Sequence, residues 1–113
     1  MRNNAPVQEI QYYRTPNGKN PFAEWLGSIQ DKSTQNRIDK RLERLEDGNA
    51  GDCQSVGDGV FELRLHFGPG YRIYFGQIDN TLVLLLCGGD KASQARDIER
   101  AKIYWREYKE AHP

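Results

Sequence analysis

The sequence lacks a long hydrophobic run, has almost no cysteine and carries no excess of either charge. Its longest apolar run, Leu82 to Cys87, has six residues, far fewer than the roughly 20 that a membrane-spanning helix needs. The first eleven residues contain no basic segment followed by an apolar stretch, so we expect no secretory signal. The two cysteines, Cys53 and Cys87, have neither metal-ligand spacing nor a disulfide pattern. These absences predict a cytoplasmic protein with no membrane contact.

The balance of charge excludes one class of nucleic-acid-binding protein. Sixteen Lys and Arg residues match sixteen Asp and Glu residues, and the isoelectric point is near 6.7. Proteins with a strongly basic coat have isoelectric points above about 9. The charge balance does not exclude a local basic patch, because net charge describes the whole surface and not one groove. The 113 residues, 37% of them hydrophobic, predict a single globular domain spanning residues 1–113.

Hydrophobic periodicity predicts the element order β-α-α-β-β-β-α. The predicted elements are a strand at 9–14, a short helix opening at Asn20-Pro21, a helix at 33–47, a glycine-rich loop at 48–59, strands at 61–67, 71–76 and 82–87, and a helix at 92–109. We therefore predict an α+β fold with a twisted, mostly antiparallel four-stranded sheet and helices packed on one face. The last strand has no polar face before Gly88-Gly89 ends it, so it should be central and covered on both sides.

The two middle strands are predicted to form a hairpin. A three-residue loop at 68–70 would pair Leu65 with Ile73, and His66 with Arg72. Because side chains alternate along a strand, the polar residues of both strands would then share the face turned away from the helices. These residues are Glu62, Arg64, His66, Arg72 and Tyr74.

This polar face is the candidate site. Opposed residues lie about 5 Å apart, so the cluster would be compact, and Asp90 and Lys91 would lie beside it at the end of the next strand. One arginine can donate to two phosphate oxygens at once, and the other side chains of the cluster could transfer protons. The cluster is therefore suited to a phosphodiester substrate. Spacing alone leaves a second interpretation open, which is a polar sheet face with cross-strand ion pairs.

The second helix carries five basic residues, interleaved with Asp and Glu. They are Lys32, Arg37, Lys40, Arg41 and Arg44. This face is either a solvated surface with weak ion pairs or an edge that meets RNA or a partner protein. No metal or cofactor is predicted, because His66, His112 and the two cysteines lack ligand spacing. Cys87 lies in an apolar run that disfavours a thiolate nucleophile.

Three runs of residues carry a family resemblance. They read VGDGVFELR at 56–64, GPGYRIYF at 68–75 and LLLCGGDKASQ at 84–94. In this order they resemble the addiction-module killer proteins, the HigB-like and phage Gp49-like branch of the RelE/ParE toxin superfamily. The opening at 21–26 and the tail at 97–105 resemble that branch too.

The resemblance implies a RelE-like fold and the toxin of a type II toxin–antitoxin system. Its partner would be a helix-turn-helix antitoxin, through which alone it would contact operator DNA. RelE-like members cut messenger RNA in the ribosomal A site without metal, using the 2′-hydroxyl beside the scissile phosphate. The ParE members share the fold and inhibit DNA gyrase instead, and a non-catalytic binding module of an autorepressing complex is a further alternative.

The resemblance also implies roles for single residues. Arg72 matches the arginine that contacts the scissile phosphate, Arg64 lies where the family keeps basic residues, and Lys91 matches the basic residue near the reacting centre. The Tyr or His that several members have near the C-terminal end is absent from 91–98. His66 would substitute as acid or base, with Glu62 and Asp90 as other candidates. Glu62, Tyr74 and Asp90 are predicted to contact the substrate.

Overall fold

A computed structural model describes residues 8–113, and the prediction about a secretory signal therefore falls partly outside it. The described elements are β1 (Glu9–Tyr12), α1 (Pro21–Ser28), α2 (Lys32–Glu46), β2 (Cys53–Gly57), β3 (Val60–Arg64), β4 (Arg72–Ile78), β5 (Leu82–Gly89) and α3 (Gln94–Ala111), with a 3-10 turn at Lys91–Ser93. The predicted α+β class is confirmed. Within residues 8–113, no helix is long and apolar enough to cross a membrane.

The first two helices begin almost where the sequence predicts. The Asn20 side chain accepts a hydrogen bond from the Ala23 N–H at 3.0 Å, and Pro21 occupies the first helical position. The Asp31 side chain caps α2 in the same way, from the Ser33 N–H at 3.2 Å. These caps satisfy amide groups that have no partner inside the helix.

The sheet has five strands among the described residues, so the prediction of four is wrong. Their order is β1-β5-β4-β3-β2, with β1 parallel to β5 and the other neighbours antiparallel. The additional strand is β2, which lies inside the segment predicted as a loop. It is an edge strand whose side chains are mostly exposed. Its stability comes from the ladder with β3 and not from a hydrophobic pattern, which is why periodicity misses it.

Helices cover both faces of the sheet, which corrects the prediction of helices on one face. The first core, shared with α1 and α2, contains Phe22, Ile38, Leu42, Leu63, Ile73 and Leu85; the second, shared with α3, contains Val60, Tyr74, Leu84, Leu86, Ala101 and Trp105. The predicted open face of the hairpin is therefore partly covered by α3. The interior position of β5, buried on both faces, is confirmed.

Two glycines that were predicted to end β5 belong to it. The indole of Trp25 lies against Gly88, and the Asp97 carboxylate lies against Gly89, each in the space that a Cβ would take. Both glycines continue the ladder with β4, where Gly88 pairs with Ile73 and Gly89 with Arg72, and a larger residue at either position would displace these neighbours.

The hairpin register differs from the prediction by two residues. Leu63 faces Ile73 and Arg64 faces Arg72, so Leu65 and His66 lie in the connecting loop. A shift of two residues leaves the side chains that remain in the strands on their predicted face, since side chains alternate with a period of two. Arg64 and Arg72 thus remain on the same side of the sheet and become direct neighbours.

Replacing Gly76 with alanine is expected to destabilise the fold by about 1–3 kcal/mol, as overpacking of a core does. A Cβ on Gly76 would overlap the Trp105 ring. The matched control is Gly27→Ala in α1, where nothing lies within 4 Å of the added carbon and a gain of about 0.5–1 kcal/mol is expected. Denaturant unfolding measures both. Equal midpoints for Gly76→Ala and the wild type would contradict the close approach of α3 to β4.

Candidate functional site

A cleft of about 340 Å³ opens at the end of the β3–β4 hairpin. It is lined by four of the residues predicted to be catalytic: Arg64, His66, Arg72 and Lys91. The hairpin and the turn that follows β5 meet here, because the Lys91 N–H donates to the Pro69 carbonyl at 3.4 Å and holds that turn against the hairpin loop. We call this the arginine cleft.

A fully buried carboxylate, Glu62, lies beneath the two arginines. Its Oε1 accepts from Arg64 Nε at 2.9 Å, and its Oε2 accepts from the Tyr74 hydroxyl at 3.0 Å and from Gln94 Nε2 at 2.8 Å. The Nε of Arg72 lies 3.7 Å from the same Oε2. One anion therefore forms a hydrogen-bonded ion pair with Arg64 and a longer ion pair with Arg72.

The hydrogen bonds decide the charge of this network. Burial raises the pKa of Glu62, but the hydrogen bonds from Gln94, Arg64 and Tyr74 outweigh burial and leave the pKa below its usual value. Burial, followed by the nearby Glu62 charge, raises the pKa of Tyr74, so its hydroxyl stays a donor. The hydrogen bond to Glu62 raises the pKa of Arg64. At neutral pH a carboxylate thus faces protonated donors.

Two predicted substrate contacts are corrected by burial. Glu62 and Tyr74 each have 0% of their surface exposed, so neither side chain can contact a ligand in this structure, and Glu62 is not placed to act as a base. Gln94 of α3 lies over them. The strand pattern cannot show this cover, because α3 comes from a distant part of the sequence.

A third predicted contact, Asp90, has a structural role. Its Oδ1 accepts from the N–H groups of Ala92 at 2.9 Å and Ser93 at 3.2 Å, which caps the 3-10 turn. It does not line the arginine cleft but opens onto a separate one beside Arg96 and Arg100.

Arg72 is the most buried cation of the arginine cleft, with 8% of its surface exposed. Its Nη1 donates to the Gly70 carbonyl at 3.3 Å. Its Nε is the one buried side-chain nitrogen or oxygen without a hydrogen bond among the described residues. The Glu62 charge partly offsets the cost of that unpaired donor.

His66 is an exposed residue of the cleft, and its side chain contacts a residue that the sequence did not indicate. Its Nε2 contacts Asp52 Oδ2, while the Asp52 carbonyl accepts from the Arg64 N–H at 3.0 Å. Asp52 comes from the segment before β2, and no spacing links it to His66. The pair combines a histidine with a carboxylate that orients it, an arrangement suited to proton transfer.

The cysteines and other metal-binding residue types contribute no site within residues 8–113. No group of three or more His, Cys, Asp or Glu residues in that range could hold a metal ion. Burial raises the pKa of Cys87 to about 12, and burial also raises the pKa of Cys53. Both cysteines are therefore thiols at neutral pH.

The fold and the cleft define a small α+β protein with a cleft lined by two arginines, a lysine and a histidine. The family model of the phage-derived Gp49-like proteins matches residues 24–111, a range that includes every residue of the arginine cleft. The chain therefore belongs to this family, a family of addiction-module killer-like proteins. It is also 45% identical to a Haemophilus influenzae protein over 86 residues, which cover 76% of this chain and 87% of the other. That protein is described only as an uncharacterized protein, so the similarity assigns no activity.

Proposed function

We propose that this protein is a member of the RelE/ParE superfamily and the toxin of a type II toxin–antitoxin system, which cleaves messenger RNA in the ribosomal A site. One observation carries the proposal: a single cleft contains Arg64, Arg72, Lys91 and His66 in a protein of a killer-like family. The reaction uses no cofactor or metal.

The three cations act on the phosphate. A phosphodiester is negatively charged and gains charge at its non-bridging oxygens as the nucleophile attacks. Arg64 and Arg72 bind these oxygens in a geometry that Glu62 fixes beforehand, and Lys91 adds a third positive charge. Fixed donors of this kind contribute strongly, since removing one costs about 10²–10³-fold in rate in well-studied enzymes.

The 2′-hydroxyl of the RNA is the nucleophile. Its oxygen bonds to phosphorus as the bond from phosphorus to the 5′ oxygen breaks, which gives a cyclic phosphate and a 5′-hydroxyl. His66, oriented by Asp52, takes the proton of the 2′-hydroxyl. Lys91 supplies the proton of the departing 5′ oxygen, and exchange with solvent restores both side chains.

The proposal includes a partner and a location. A helix-turn-helix antitoxin would neutralise the protein in the cytoplasm, and operator DNA would be contacted only through that antitoxin. Family membership supports this part.

Mapping of transcript 5′ ends after induction tests the proposal. Expression in a bacterial host is expected to stop growth and to produce new, codon-phased 5′ ends within translated messages. A matched transcript without its start codon should stay intact, because cleavage depends on translation. Intact messages together with DNA damage would identify a gyrase inhibitor and overturn the proposal, and normal growth would identify a non-catalytic binding module.

A further inference from the structure

A second cleft, of about 450 Å³, adjoins the arginine cleft. The basic residues along it are Arg37, Lys40, Arg41 and Arg44 of α2, together with Arg64 and His66. We call this the α2 groove. Because Arg64 and His66 also line the arginine cleft, a ligand bound in one cleft can continue into the other.

The positive charge that α2 contributes to the groove is not neutralised by ion pairs. Within residues 8–113, none of its four helix cations forms an ion pair with a carboxylate. Asp52 is the acidic residue that lines the groove, and it contacts His66. The protein as a whole has a formal net charge of zero, so this surface differs sharply from the average.

Two of the cations are held in place without a ligand. The Arg37 guanidinium lies 3.7 Å from the centre of the Phe67 ring. Arg41 donates to the carbonyls of Asn49, at 3.5 Å, and Ala50. A ligand that binds such fixed groups loses less side-chain entropy than one that must order them.

We propose that the α2 groove binds the sugar–phosphate backbone of single-stranded RNA next to the linkage that is cut; this inference rests on the proposed function. Arg37 and Arg44 are seven residues apart on one helix, about 10 Å at 1.5 Å per residue, which is long enough for more than one phosphate. Continuity with the arginine cleft favours RNA over an acidic polypeptide, because the strand whose phosphate enters that cleft must leave it along a neighbouring surface.

Binding of the full chain to a labelled single-stranded RNA tests the groove without cleavage. Every nucleotide of the probe carries a 2′-O-methyl group, which removes the nucleophile, and fluorescence anisotropy is measured over a series of salt concentrations. The variant Lys40→Ala/Arg44→Ala removes two exposed cations of the groove. It should weaken binding and reduce the salt slope by about 1.4, at roughly 0.7 per phosphate contact on single strands.

The matched control is Arg14→Ala/Lys19→Ala, which removes the same charge from two exposed residues outside the groove. Its affinity and salt slope should equal those of the wild type. Equal losses in both double variants would overturn the inference, because binding would then follow overall charge. Competition by polyglutamate as effective as competition by unlabelled RNA would also overturn it, and would identify a site for an acidic polypeptide.

The two experiments distinguish an error in the inference about the α2 groove from an error in the proposed function. If messages are cleaved in cells while the groove variant binds RNA like the wild type, the groove is wrong and the function stands. If the groove variant loses RNA binding while the wild type leaves messages intact, the inference about RNA stands and the nuclease proposal is wrong.

Discussion

Replacing Arg72 with alanine is expected to abolish growth arrest and to lower message cleavage by about 10²–10³-fold, the usual effect of removing one fixed donor from a reacting oxyanion. Arg72 is the most buried cation of the arginine cleft, and it lies between the Glu62 carboxylate and the Gly70 carbonyl. Its loss leaves the phosphate with Arg64 and Lys91. Colony formation after induction and the amount of new transcript 5′ ends measure the effect.

Because Arg72 is almost buried, a second variant separates function from folding. Arg72→Lys keeps the positive charge but not the planar pair of donors that matches a phosphate, so it should fold and still cleave poorly. Arg106→Ala removes an exposed arginine outside the arginine cleft and should behave like the wild type. If a folded Arg72 variant, verified by circular dichroism, arrests growth as the wild type does, the phosphate site has been placed wrongly.

Alternation along β3 and β4 predicted the most important feature of the site, which is that Arg64 and Arg72 share a face. That inference is correct although the predicted register is wrong by two residues, because a two-residue shift preserves the face. The predicted length of the hairpin loop was wrong because the hydrophobic pattern does not distinguish the two registers. Pairing Leu65 with Ile73 satisfies the hydrophobic pattern as well as the observed pairing of Leu63 with Ile73.

The supporting residues could not be predicted, because each depends on a contact between distant parts of the chain. Gln94 reaches Glu62 across 32 positions, and Asp52 reaches His66 across 14. Periodicity reports which side of a strand a residue occupies, but not what covers that side. Tyr74 was therefore assigned to an open face, whereas α3 packs over it.

The basic stripe of α2 was visible in the sequence, but its setting was not. Arg37, Lys40, Arg41 and Arg44 recur at helical spacing, which is equally typical of a solvated surface. Their position beside Arg64 depends on how α2 packs against the hairpin. In the folded protein, these four residues line a groove that adjoins the arginine cleft.

Glu62→Gln should separate the charge of Glu62 from its shape. Glutamine keeps the volume, but only its oxygen accepts hydrogen bonds, so it can accept from Arg64 or from Tyr74 and Gln94 but not from all three. We expect a loss of about 1–3 kcal/mol at pH 7, the cost of a buried donor without a partner. Cleavage should also fall in the folded variant, because Arg64 and Arg72 lose the anion that orients them. Denaturant unfolding and transcript mapping measure the two effects.

The pH dependence of stability tests the same carboxylate independently of cleavage. The pKa of Glu62 is lower in the folded protein than its usual value, so its charge stabilises the fold above the unfolded-state pKa of about 4.3. That stabilisation is lost as the pH falls through the lower folded-state pKa. Between about pH 5 and pH 3, the wild type should therefore lose more stability than Glu62→Gln. The control Glu110→Gln alters an exposed carboxylate on α3 and should follow the wild-type curve. If the Glu62→Gln curve also matches the wild-type curve, Glu62 is not the anion that pairs with the two arginines. A carboxylate in that position must make the stability of the wild type depend on pH.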